Sequence, residues 1–235
     1  MTSLTEINQN GFKKLEEFLN YNFKNQELLR QAFIHRSFIN ESENKDLVHN
    51  ERLEFLGDAV LELVVTEFLY QKFPDPEGVL TNWRSSIVKG ENLAKVATAT
   101  GLGDLLFLSR GEEKSGGRTR AYILANTVEA LIGAIYLDSG YEQASKFIHK
   151  NIIVLLPEII EKRLYIDPKS DLQEKCQERL NATPEYRVLK DSGPDHDKIF
   201  TVGVYANGKF IAEGSGSSKQ RAEQVAATNA LSAWK

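Results

Sequence analysis

As far as residue 162, apolar residues recur at helical spacing and strand-like alternation is almost absent. The spacing predicts helices over 11–19, 25–33, 50–72, 81–100, 119–138 and 141–161. "FPDPEG", Phe73 to Gly78, breaks the chain with two prolines and a glycine. "SRGEEKSGGRTR", Ser109 to Arg120, reads as a polar loop between helices, and "RLYIDPKS", Arg163 to Ser170, as a linker that runs into a helix start. The pattern then changes. "SDLQEKCQERL" opens with a capping box, Ser170 to Gln173, and reads as a helix. "EYRVLKD" alternates as a strand, and "KIFTVGVYANGKFIAEGSG" alternates about Asn207-Gly208, a strong hairpin signal. "SSKQRAEQVAATNALSAWK" closes as an amphipathic helix.

These elements predict an all-α N-terminal domain over 1–162, a linker over 163–168, and a small α+β domain over 169–235. The latter has the order α-β-β-β-α, with both helices on one face of an antiparallel sheet. The halves do not differ sharply in charge. The chain carries a net charge of −4; residues 1–167 hold 19 Lys+Arg against 24 Asp+Glu, and residues 168–235 hold 10 against 9. Any polyanion must therefore be held by local patches rather than by the overall field. The single cysteine, Cys176, excludes an internal disulfide framework and suits a reducing compartment. The first residues lack the apolar segment of a signal peptide. Apolar runs such as "IIVLLPEII" fall short of the roughly 20 residues of a bilayer span. The expectation is a soluble, cytoplasmic protein with no membrane partner.

Two helices carry acid in apolar surroundings. In "NERLEFLGDAVLELVV", Leu53, Leu56, Val60, Leu63 and Val64 form one broad stripe expected to face the core. Glu51, Glu54 and Asp58 lie within roughly 60° of one another on the opposite side, flanked by Phe55 and Leu61. Glu54 and Asp58 stack four residues apart, and close carboxylates repel unless a cation lies between them. In "AYILANTVEALIGAIYLD" the only polar side chains between Tyr122 and Leu137 are Asn126, Thr127 and Glu129. A helix apolar nearly all round is buried, so its carboxylate needs a partner. With the polar faces together, Glu54, Asp58, Asn126 and Glu129 would converge. An oxygen cluster without Cys or His suits Mg²⁺, with Mn²⁺ as a substitute, rather than Zn²⁺. The competing reading pairs these acids with arginine, for example Glu51 with Arg52 or Arg84. Glu51 is the more structural member of the set, and Glu62, about 12 Å along the axis from Glu54, is solvated.

"HNERLEFLGDAVL" resembles the signature motif of the ribonuclease III family, and "ILANTVEALIGAIYLD" resembles its second acidic helix. The last 68 residues resemble a double-stranded-RNA-binding domain. The resemblance implies a homodimeric nuclease with one metal-dependent centre per subunit, each cutting one strand of duplex RNA. Glu54, Asp58 and Glu129 would be the metal-binding carboxylates, Asp58 and Glu129 carrying the catalysis, with Asn126 at the fourth site and Glu51 organising it. A Mg²⁺-bound water would attack the phosphodiester without a small-molecule cofactor. The products would have 5′-phosphate and 3′-hydroxyl ends with short 3′ overhangs. Ribosomal RNA precursors are the substrates the family suggests. Phe55 would plug into the partner subunit, its alternative being local packing against helix 81–100. Where the family commonly has Asp, this chain has Asn126, which offers a carbonyl oxygen but no charge. That departure leaves a second reading open, a dimer that grips duplex RNA with weakened or absent cleavage.

The resemblance also implies the RNA-binding surface, since A-form duplex is read by shape across its shallow minor groove. Ser170, Gln173, Glu174 and Gln177 would meet 2′-hydroxyls from one helix face. His196, in "GPDHD", would reach a second minor groove. Ser218, Lys219, Gln220 and Arg221 would meet phosphate at the start of the last helix. Gln220 stands where a second basic residue is usual, and Asp195 and Asp197 flank His196, so binding by this domain should be weak and salt-dependent. Lys114, Arg118 and Arg120 form a basic loop that would touch the backbone near the cut or serve as a mobile connector.

Overall fold

The computed structural model describes residues 4–44, 46–194 and 198–234. They form two compact units that meet in sequence at Tyr165–Ile166.

The first unit is helical: α1 (Leu4–Leu19), α2 (Gln26–Ala32), α3 (Arg36–Ile39), α4 (Glu51–Lys72), α5 (Glu77–Ile87), α6 (Gly90–Ala99), α7 (Arg110–Lys114), α8 (Ala121–Ser139), α9 (Tyr141–Asn151) and α10 (Leu156–Glu161). α8 is its axis. By length and composition alone α8 could cross a bilayer, which the reading of short apolar runs missed. Here it is wrapped by α2, α4, α6 and α9 and buries Leu124, Val128, Leu131 and Ile135 among the core residues. Three expected elements are corrected. Helix 81–100 is two helices, α5 and α6, separated at Val88-Lys89; the Asn92 side chain donates through Nδ2 to the Ser86 carbonyl (2.9 Å) across the break. Helix 141–161 is interrupted by a 3-10 turn at Ile153–Leu155, which places Pro157 in the first turn of α10, where its missing N–H costs nothing. The expected polar loop contains α7, capped by the Ser109 hydroxyl, which accepts from the Glu112 amide (3.1 Å). α1 also begins ahead of the expected residue 11, and α3 was not anticipated.

The second unit runs α11 (Pro168–Leu180), β1 (Glu185–Ser192), β2 (Ile199–Ala206), β3 (Lys209–Gly216) and α12 (Lys219–Ala233), as the alternation predicts. The sheet is antiparallel in the order β1-β2-β3. Asn207 and Gly208 both take positive φ (48° and 74°), the geometry a two-residue hairpin demands. Leu172 and Cys176 of α11 and Ala226, Ala227 and Ala230 of α12 pack with Val204 and Ala206 of β2. Ser170 does not cap α11. The cap is Asp167, whose carboxylate accepts from the amides of Lys169 and Ser170 (3.0 Å each), with Pro168 in the first turn.

Candidate metal centre and RNA-binding surface

α4 and α8 cross with their backbones in contact. A Cβ added to Gly57 would overlap the carbonyl oxygen of Glu129 and lie 2.8 Å from the Gly133 nitrogen. One added to Gly133 would overlap the Leu53 carbonyl. The crossing thus sits on residues adjoining Glu54, Asp58 and Glu129, and it corrects the expected orientation of α4. The buried residues are Leu53, Gly57, Val60, Leu61, Val64, Val65 and Leu69. At 100° per residue this arc includes the direction of Glu54. The acidic strip therefore lies along the α8 side of the helix rather than opposite the core. Leu61 is fully buried, whereas Leu63, expected inside, is 57% exposed. The two glycines were missed as site-forming residues; a glycine inside an otherwise strong helix pattern was the available signal.

Glu54, Asn126 and Glu129 are half-buried at this crossing and Asp58 is exposed. The Glu129 carboxyl is pushed up to about 7, by burial first and then by the charges of Asp58 and Glu54. Glu54 is also raised, by burial and by Glu51, with a smaller push from Asp58; a hydrogen bond from the Asn126 side chain opposes the rise. These mutual effects place the carboxylates in one electrostatic neighbourhood. Among the described residues, no lysine, arginine or histidine pairs with Glu54, Asp58 or Glu129. Nor do three acidic, histidine or cysteine side chains among the described residues close into a ready metal cage. Like charges held at one crossing repel, so a closed cage of bare carboxylates is not expected. The donor set, all oxygen and lacking a protein counter-charge, fits a hard divalent cation.

Glu51 has partners of its own. Its carboxylate meets Arg36 Nη1 at 3.0 Å and His49 Nδ1 at 3.8 Å, rather than Arg52 or Arg84; Arg84 instead donates to the Thr66 hydroxyl (3.0 Å). Glu62 is exposed, as expected. Phe55 is 81% exposed, and Leu63 and Tyr70 further along α4 are exposed large hydrophobics as well. The basic loop is largely internal wiring. Arg118 bonds Glu113 (2.7 Å) and the carbonyls of Gly103, Asp104 and Leu106 (3.0, 3.2 and 2.9 Å). Arg120 bonds Glu112 and both Ser115 oxygens. Only Lys114 of that trio is exposed.

Comparison with known proteins then settles the family. A family model described as ribonuclease-III-like matches residues 25–156, and one described as a double-stranded RNA binding motif matches 168–233. The chain is 48% identical over 219 residues to ribonuclease 3 of Desulforamulus reducens, covering 93% of this chain and 89% of that protein. The chain belongs to the ribonuclease III family. Ribonuclease 3 of Bdellovibrio bacteriovorus is 46% identical over 223 residues, 94% of this chain and 95% of that one. The nuclease domain of ribonuclease III from Campylobacter jejuni, solved in work on flexibility in a region involved in its dimer formation, is 45% identical. It covers 59% of this chain and 96% of its own, with a TM-score of 0.54.

In the RNA-binding unit, Ser170, Gln173, Glu174 and Gln177 line one shallow groove along α11 with Glu178, all exposed. The Gln177 amide donates to the Asn181 side chain (2.7 Å), and the Ser170 hydroxyl to Asp167 (3.3 Å). Ser218 caps α12, its hydroxyl accepting from the Arg221 amide (3.2 Å). Lys219 lies over the Phe200 ring at 5.9 Å, and Gln220 and Arg221 are exposed beside it. His196, with Asp195 and Asp197, lies outside the described residues.

Proposed function

We propose that Glu54, Asp58, Asn126 and Glu129 hold a divalent cation, Mg²⁺ or its substitute Mn²⁺, and that the α4–α8 crossing is the cleavage centre of an endonuclease for double-stranded RNA. The observation that carries the reading is the backbone contact of α4 and α8 at Gly57 and Gly133, which brings the half-buried Glu54 and Glu129 to one crossing. Among the described residues, no lysine, arginine or histidine pairs with them there, and the raised Glu129 carboxyl agrees with the reading. When bound, the cation supplies an activated water and offsets charge developing at the phosphate. The chain's residues do the rest. Glu54, Asp58 and Glu129 provide the negative charge that recruits the ion, and Glu129 must surrender its proton to do so, which couples binding to pH. Asn126 adds an uncharged carbonyl oxygen and steadies Glu54 through its amide. Glu51, ion-paired with Arg36, stands at the margin of the site.

Phe55, Leu63 and Tyr70 carry the partner subunit, giving a homodimer with two centres. Cuts offset between the strands then leave 5′-phosphate and 3′-hydroxyl ends with short 3′ overhangs. The α11 groove, His196 and the start of α12 hold the duplex. The substrates are structured transcripts such as ribosomal RNA precursors, met in the cytoplasm. Whole-length relatives that are ribonucleases do not favour a protein that only grips RNA. The test incubates long duplex RNA with the full chain, with and without Mg²⁺, and maps the ends. Cleavage only with metal, lost in Asp58→Asn, is expected. Retention of RNA without cleavage at saturating Mg²⁺ or Mn²⁺ would overturn the reading.

A further inference from the structure

The acidic crossing has an arginine fastened to its edge. Glu51 lies one helical turn from Glu54, with Cβ atoms about 5–6 Å apart at that spacing. Arg36 grips Glu51 through Nη1 at 3.0 Å. Among the described residues Glu51 is the only side-chain partner of Arg36, whose side chain is 69% exposed. A guanidinium has five N–H donors in a planar fork, so most of this one faces solvent beside the site. The arginines of the basic loop are differently placed, since Arg118 and Arg120 are occupied by carbonyls and glutamates.

The backbone beneath Arg36 is pinned from several sides. The His35 amide donates to the Phe107 carbonyl (3.1 Å), and His35 Nδ1 accepts from the Ser37 amide (3.2 Å). The Ser109 amide donates to the Ser37 hydroxyl (3.1 Å). The Asn50 amide and side chain donate to the carbonyls of Ile34 (2.9 Å) and Ala32 (3.1 Å), tying this segment to the first turn of α4. A charged fork on a platform fixed relative to the metal-binding helix is a different object from a solvated surface arginine. Any phosphodiester that approaches Glu54 and Asp58 meets net negative charge. It needs a cation at the rim that does not occupy the metal position.

We propose that Arg36 is a backbone-phosphate contact for duplex RNA at the edge of the cleavage centre, held in aim by Glu51. This rests on the reading of the crossing as that centre. Ion pairing with Glu51 orients the guanidinium and leaves its outer N–H groups for a phosphate of the strand being cut. The contact is blind to sequence, as phosphate contacts are.

The test measures binding of the full-length dimer to duplex RNA without divalent metal, across a salt series, for wild type, Arg36→Gln, Arg36→Lys and Arg36→Gln/Glu51→Gln. Loss of one phosphate contact lowers the slope of log affinity against log salt by about one. It also raises KM for cleavage on the order of tenfold, with kcat little changed. Arg36→Gln and the double variant should both show the lowered slope, and Arg36→Lys should keep the wild-type slope. If Arg36 serves only to neutralise Glu51, the slope stays at the wild-type value in all variants and the double variant regains wild-type KM; that result overturns the proposal. Failure of wild type to cleave in Mg²⁺ would sink the cleavage-centre reading instead, and the salt slopes register that outcome separately.

Discussion

In the nuclease unit, Glu54 and Glu129 sit half-buried on helices whose backbones touch at Gly57 and Gly133. In the RNA-binding unit, Ser170, Gln173, Glu174 and Gln177 stand exposed on a helix anchored by Leu172 and Cys176 over a core largely of alanines. One unit sets two of its proposed working carboxylates partly inside its packing, and the other sets its proposed contacts on top of it. Buried carboxylates gain perturbed titration and depend on a frame with no slack. Exposed amides and hydroxyls gain nothing from the frame beyond direction, and their loss leaves the fold intact.

The sharpest way to break this contrast is a single methyl. Gly57→Ala drives a Cβ into the Glu129 carbonyl and should destabilise the nuclease unit by about 3 kcal/mol or more, with cleavage lost. Gly214→Ala meets the Ala226 nitrogen of α12 and should disrupt the RNA-binding unit while leaving the nuclease transition in place. Separate calorimetric transitions read both; an unshifted nuclease transition in Gly57→Ala would contradict the described crossing.

Next in size is Glu129→Gln. Cleavage should fall at least about a hundredfold, since even residues behind metal ligands cost that much. Its stability effect has the opposite sign. The folded protein holds a proton on Glu129 up to about pH 7, whereas the unfolded chain releases it near the ordinary 4.5. Between these values the folded state binds more protons, so metal-free stability falls as pH rises through the window. Glu54, shifted the same way, adds to the fall. Glu129→Gln should flatten the profile and raise the metal-free melting temperature at pH 7.5. An equally steep profile in denaturation at pH 4.5–7.5 would count against Glu129 as its source.

Asn126→Asp should lower the Mg²⁺ concentration for half-maximal cleavage by restoring a charged ligand, read from metal titrations. The smallest effect belongs to the exposed unit. Ser218→Ala removes the cap of α12 and should cost about 1 kcal/mol in that unit's unfolding, with the cleavage centre unaffected.

The sequence exposed some of this more readily than the rest. The Asn207-Gly208 hairpin and the α-β-β-β-α order follow from local chemistry, and the structure has both. The paired acidic helices were conspicuous because carboxylates in apolar surroundings are anomalous. That the acidic side of α4 meets α8 was legible; which arc of α4 is buried along with it was not. Leu61 and Leu63 are equivalent as letters, and only the Gly57 contact decides that the first is buried and the second exposed. The partner of Glu51 was equally hidden, since Arg36 reaches it through folding of a distant segment. On α11, the capping box at Ser170 lost to Asp167, which has Pro168 beside it to fix the first turn.

Because peptide groups rather than side chains set the separation of α4 and α8, the distance across the crossing is insulated from what the side chains at its rim become. An amide can replace an acid at position 126 without moving the scaffold that aims its neighbours. A joint of this kind ties the spacing of the two helices to positions 57 and 133, so changes at the rim act on charge rather than on spacing.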